Sequence, residues 1–227
     1  MSRNADVLYR DSARFATVSY KSRNVKTGDM AQVNILARGA DPVRAAHVTG
    51  QDKAVCGSCP LRPSVGGVCY VNKAHGPLAI YRAVSRNPVK GLARILSRLG
   101  SKAIRLGAYG DPAFLPLPLL EQVTKGRKHT GYTHQWRKVS KRYAQYVMAS
   151  VETLADRTKA KAKGYRTFRV TSDATDVASG EVLCPNYTSK VQCADCGLCN
   201  GASKAKDIVI LAHGGTGNAA KFARLTQ

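Results

Sequence analysis

A chain of 227 residues, 44% of them hydrophobic, can bury a full core without covalent staples, so its seven cysteines are not needed as a disulfide framework. Lysine and arginine number 36 against 14 aspartates and glutamates, a formal charge of +22 with a pI near 10.1, which favours polyanions and points first to nucleic acid. No run approaches the roughly 18 apolar residues of a membrane span, and the polar start "MSRNADVLYRDSARF" lacks a secretory apolar segment, so a reducing cytoplasm and no membrane partner are expected.

Residues 1–50 are mixed, with "FATVSY" (15–20) and "AQVNIL" (31–36) reading as short strands separated by turn chemistry at Thr27-Gly28-Asp29. They are expected to pack on a larger unit over 51–227. After a loop rich in proline and glycine, "PLAIYRAV" (77–84) and "PVKGLARILSRLG" (88–100) read as helices. The first opens on Pro77, and the second repeats Leu92, Ile95, Leu96 and Leu99 at helical spacing before Gly100. From there strands and helices alternate. Strands are expected at 103–111, 129–136, 146–152, 165–172, in "GEVLCP" and at 207–215. Helices are expected at 115–126, over the basic 137–144, and at 153–164, where Thr153 is a candidate N-cap. Such alternation predicts an α/β fold with a parallel sheet. The units are too few for a complete eight-stranded barrel, so a partial barrel or an open sheet fits better, and a partial, TIM-like βα barrel is expected.

All seven thiols fall in two loops, spanning 56–69 and 184–199. The second has the spacing C-x8-C-x2-C-x2-C, from Cys184 through Cys193 and Cys196 to Cys199. Four thiolates suffice for a tetrahedral zinc or for a [4Fe–4S] cluster, and consecutive two-residue gaps favour the cluster. The first loop holds Cys56, Cys59 and Cys69 as C-x2-C-x9-C, followed by Tyr70 and His75. With His75 it would be a Cys3His zinc site. Without a fourth ligand it would leave one iron of a cubane open. All seven thiols could also converge on one region.

Polar residues gather at the predicted strand ends, where parallel sheets bind ligands. Asp111 ends "RLGAYGD", His134 lies in "HTGYTHQW", Glu152 ends "VMASVE" and Ser172 ends "YRTFRVTS". Asp111, His134 and Glu152 are the candidate catalytic groups. His129 and His134 stand five apart, which on a strand sends them to opposite faces and argues against shared ligation. Trp136 and Tyr132 could stack a base or fill the core. "AHGGTGNAAK" (212–221) matches neither common phosphate-binding glycine pattern.

Taken together, "CGSCP…GVCYVNK", "RLGAYGDP", "HTGYTHQW", "MASVET", "YRTFRV", "CPNYTSKVQCADCGLC" and "IVILAHG" resemble the cysteine-rich proteins of phages and plasmids akin to the phage gene product 88 family. More remotely, a cysteine loop ending in Cys-Tyr ahead of successive βα units is similar to radical S-adenosylmethionine enzymes. In those, three cysteines hold a [4Fe–4S] cluster at the mouth of a partial barrel. The resemblance implies a protein acting in the cytoplasm of a bacterial host. It further implies iron–sulfur cofactors with S-adenosylmethionine, contacted by Tyr70, Gly107, Gly110 and Ser172, and an enzyme acting on nucleic acid or nucleotides. The loop C-x2-C-x9-C departs from that family's C-x3-C-x2-C. The alternative is a non-catalytic nucleic-acid-binding protein stabilised by zinc.

Overall fold

A computed structural model describes residues 4–201, 204–214 and 217–225. Its framework is an open, nine-stranded, mostly parallel sheet, and no pairing among the described residues closes its two edges on each other. The strands are β1 (Ala5–Arg10), β2 (Arg14–Ser19), β3 (Ala31–Ala37), β4 (Ile104–Tyr109), β5 (His129–Thr133), β6 (Met148–Val151), β7 (Thr167–Thr171), β8 (Glu181–Leu183) and β9 (Asp207–Leu211). They lie in the order β1-β2-β3-β4-β5-β6-β7-β9-β8. β1, β2 and β3 pair antiparallel, and every pairing from β3 to β8 is parallel.

The N-terminal strands therefore extend the sheet edge to edge rather than pack upon it. β2 and β3 are buried almost throughout, with one face apolar and the other carrying Thr17, Ser19, Gln32 and Asn34. The main helices are α1 (Pro42–His47), α2 (Lys53–Cys56), α3 (Gly76–Val84), α4 (Leu92–Leu99), α5 (Leu117–Thr124) and α6 (Leu154–Ala162). Thr153 caps α6, its hydroxyl accepting the Asp156 N–H at 3.1 Å. The basic stretch 137–144 is not an α-helix. It forms short 3-10 turns at Gln135–Arg137 and Lys141–Gln145, because its apolar residues lack the spacing of a buried stripe. Three further helices are α7 (Pro185–Ser189), α8 (Cys193–Cys196) and α9 (Asn218–Leu225). No helix among the described residues is long and apolar enough to cross a membrane.

Register decides what each sheet face carries. The pairs Ser19↔Gln32, Thr17↔Asn34, Gln32↔Arg105 and Arg105↔Thr130 put these polar side chains on one face. Farther along, Tyr132↔Met148, Ser150↔Phe168 and Phe168↔Ile208 continue it. Val33, Ile35, Ile104, Leu106 and Val151 lie on the opposite face, all essentially inaccessible. Over the β5–β9 end of the first face, Leu61 and Val68 of the first cysteine loop pack with Phe168, Val170, Ile208 and Phe222. Cys59, Cys184 and Cys199 border that cluster. Both cysteine loops thus cover the same face of the sheet.

Candidate functional site

The first cysteine loop is fixed at the C-terminal edge of β4 and β5. The Asp111 N–H donates to Val55 O at 2.7 Å, and the Gln135 amide donates to Cys56 O at 2.9 Å. The same Gln135 accepts from Ser58, through its N–H at 3.2 Å and its hydroxyl at 3.0 Å. Gln135 was not singled out from the sequence, where it falls inside the expected strand 129–136 and carries no signal of its own.

His134 stands against this loop. One ring nitrogen, Nε2, meets Glu152 Oε1 at 2.7 Å, and Cys59 lies close enough to act on the ring electrostatically. Asp111 holds the backbone beneath it, Oδ2 accepting the His134 N–H and Oδ1 the Ala113 N–H, each at 2.9 Å. The structure thus brings together Asp111, His134 and Glu152, from the ends of three neighbouring strands, beside Cys56, Cys59 and Cys69. Burial works against charge on His134, but Cys59 and Glu152 outweigh it and hold the imidazole well above its usual range. Burial also pushes the Cys56 thiol well up, reinforced by Cys59 and Cys69, and raises Asp111 against the hydrogen bonds of Thr133 and Ala113.

The four remaining thiols lie together elsewhere on the same face. Cys184 follows β8, its N–H donating to Val209 O at 2.8 Å. Helix α8 is docked on the 24–28 turn, Cys193 N–H bonding Lys26 O at 3.0 Å and Ala194 N–H bonding Thr27 O at 3.1 Å. Cys199 O accepts the Gly131 N–H at 3.0 Å, and Gly201 lies so close to the chain before β6 that a Cβ there would come 2.6 Å from Ala144 O. Burial raises the Cys199 thiol to about 12, opposed by the Tyr132 hydroxyl and helped by Cys184, Cys193 and Cys196, so the four sulfurs act on one another. All seven thiols are free, and among the described residues no three His, Cys, Asp or Glu side chains converge as a metal site.

Between the two loops lies a cavity of about 1250 Å3. Its walls include Tyr70, Arg105, Tyr132, His213 and all four C-terminal cysteines. Tyr70 packs on His213 with ring centroids 4.5 Å apart, Tyr132 stacks on Phe168 at 3.9 Å, and Arg105 acts electrostatically on the Tyr70 hydroxyl. Tyr70 follows Cys69 directly and reaches toward Arg105, so the two loops flank one cavity.

The other expected residues fall outside it. Ser172 is exposed and does not line the cavity. Gly107 and Gly110 do not line it either, although Ala108 does. Both have positive φ, 68° and 80°, and a Cβ on Gly110 would meet Ile35 O at 2.6 Å, so they turn the end of β4 tightly against β3. His75 is exposed at the start of α3, on the cavity rim, and His134 is the histidine that stands by the first loop. His129 is remote from His134, its Nε2 meeting Asn200 O at 2.9 Å. Trp136 is a core residue, 2% exposed with Nε1 donating to Ser150 O at 3.1 Å, and Tyr132 has one face on Phe168. In "AHGGTGNAAK" the central Gly215-Thr216 lies outside the described residues. Arg105 was not singled out from the sequence, yet a lone cation between Ile104 and Leu106 in an apolar strand is a legible signal.

No family model matches the chain, and no curated protein or solved structure is similar to it.

Proposed function

We propose that the chain is an iron–sulfur enzyme of phage or mobile-element type, related to the radical S-adenosylmethionine barrels and acting on nucleic acid or nucleotides. One observation carries this reading. The first cysteine loop follows β3, the opening strand of the parallel series, and rests on the C-terminal edge beside Asp111, His134 and Glu152. The consecutive parallel order β3-β4-β5-β6-β7 supports a relation to partial βα barrels, in which ligands bind at that edge. Cys56, Cys59 and Cys69 would hold one [4Fe–4S] cluster, and Cys184, Cys193, Cys196 and Cys199 a second. The donor types suit this, three and four thiols in two separate groups whose members act on one another electrostatically, while among the described residues no three of them yet converge as a metal site. When bound, such clusters supply one-electron chemistry. The chain's own residues do the rest. His134 carries a proton that Glu152 stabilises, Asp111 fixes the His134 backbone, and the basic surface attracts phosphates.

Anaerobic purification with metal analysis tests this. Brown protein carrying about eight irons per chain is expected, falling by about half in Cys196→Ser. Colourless protein with stoichiometric zinc would overturn it.

A second reading, a non-catalytic zinc-stabilised nucleic-acid-binding protein, is favoured by one contact. His134 faces Cys59 while its Nε2 is held by Glu152, the way carboxylates orient zinc-ligating histidines. Under this reading Cys56, Cys59, Cys69 and His134 complete a Cys3His set, and His134→Ala releases one of two bound zincs.

A further inference from the structure

The charge of the cavity is one-sided. Its walls contain Arg105, with Lys21, Arg23 and Lys26 at the rim, and not one aspartate or glutamate among the described residues. Arg105 projects from β4 into the space between the cysteine loops. Its Nε is fully buried and without a hydrogen-bond partner, the residue as a whole stays partly open to the cavity, and among the described residues no carboxylate forms an ion pair with it. The groups that act on the guanidinium are the Tyr70 and Tyr132 hydroxyls and the Cys193 and Cys199 thiols, so it faces the cavity with no carboxylate to neutralise it, and a bound anion would supply that charge. Asn34 adds a second, independent sign. It is 3% exposed, lines the cavity with its polar atoms open to that space, and no side-chain hydrogen bond is found for it among the described residues. Buried amides are ordinarily satisfied, so this one is left for a ligand.

We propose that the cavity binds a phosphorylated small molecule of nucleotide size, with its phosphate on Arg105 and its ring system along Tyr70 and Asn34. The guanidinium fork matches phosphate oxygens in a bidentate way. Three further cations at the rim call for more than one negative charge, which favours a diphosphate over a monocarboxylate. A volume of about 1250 Å3 far exceeds a bare phosphate and suits an organic ligand. Tyr70 offers an aromatic surface, and Asn34 offers both a donor and an acceptor to a base edge. The inference rests on the cavity and on no metal.

Isothermal titration of the full chain, as purified, with ADP, AMP, adenosine and inorganic phosphate tests it. ADP is expected to bind more tightly than AMP, AMP more tightly than phosphate, and adenosine weakest of all. Arg105→Gln should weaken ADP at least about tenfold and Arg105→Lys less, while Asn34→Ala weakens AMP and ADP alike. Circular dichroism melting confirms folding; if Arg105→Gln does not fold, Lys26→Gln and Asn34→Ala carry the same comparison. Absence of ADP binding, or equal affinity for adenosine and ADP, overturns the proposal. So does an Arg105→Gln protein that loses metal but keeps its ADP affinity, since Arg105 then serves the thiolates. Metal content is read on the same samples. Metal-free protein that binds ADP keeps this inference and removes the iron–sulfur reading, and metal-loaded protein that ignores ADP does the opposite.

Discussion

His134 is placed by three neighbours with separate tasks. Asp111 fixes its backbone, Glu152 holds one ring nitrogen, and Cys59 faces the ring. Its proton is retained because nearby acidic groups outweigh burial. Removing the carboxylate charge with Glu152→Gln should therefore lower the pH at which His134 deprotonates. Histidine ring resonances followed by NMR against pH check this, and an unchanged titration midpoint would show that Glu152 does not support the charge. Arg105 illustrates the complementary case, a residue whose meaning depends on what is missing around it. Its strand neighbours Ile104 and Leu106 are core, and among the residues of β4 it turns a charge to the cavity.

Among elements, the β7–β9–β8 end is held by buried charge rather than by apolar area alone. Arg169 on β7 donates to Glu181 on β8, Nη2 to Oε2 at 2.7 Å, and to Asp176. Asp207 at the start of β9 accepts the Thr167 N–H at 3.0 Å, Lys161 Nζ at 2.9 Å and Arg157 Nη2 at 3.1 Å. This ties α6, β7 and β9 together at a position only 2% exposed. Breaking one partner of such a set costs about 3–5 kcal/mol, so Glu181→Gln should fall in that range by urea unfolding. A loss below about 1 kcal/mol would show that the network is dispensable. The Asp207 carboxyl is held below its ordinary 3.8; burial opposes this, but the Thr167 amide, Lys161 and Arg157 prevail. A depressed carboxyl stabilises the fold above its unfolded value and loses that contribution as pH falls through the folded one. Asp207→Asn should therefore destabilise the protein at pH 7, with the gap to wild type closing below about pH 4. A gap independent of pH would place the effect in hydrogen bonding alone.

At the scale of the whole molecule, charge and topology act together. Ion pairs among the described residues engage only a minority of the 36 lysines and arginines, so most of the +22 faces outward. If nucleic acid is the partner, affinity for DNA or RNA should fall steeply with salt, with a log–log slope of about −3 or steeper in fluorescence anisotropy. A flat dependence would remove the electrostatic case for that partner. The open sheet leaves room on one face for both cysteine loops and the cavity between them, which a filled, closed barrel would not.

The alternation of β4 to β7 with α5 and α6 was legible in the sequence, because apolar periodicity and capping residues such as Thr153 are local properties. So was the concentration of thiols in two loops, since spacing along a chain needs no third dimension. β1 was not legible: "ADVLYR" is short and charged at its end, and it becomes a strand by pairing with β2. The partnership of His134 with Cys59, 75 residues away, could not be read either, and His75, the nearer histidine, lies instead on the cavity rim. Whether Trp136 stacks a ligand or fills the core, and whether Gly107 and Gly110 serve a cofactor or a turn, were likewise decided by packing. The sequence by itself determined element types, the two cysteine loops and the overall charge, which follow from local chemistry and composition. Tertiary structure alone decided sheet register, and register set which side chains share a face. That is what placed Arg105, with no carboxylate partner among the described residues, and Asn34 in one cavity with four of the seven thiols.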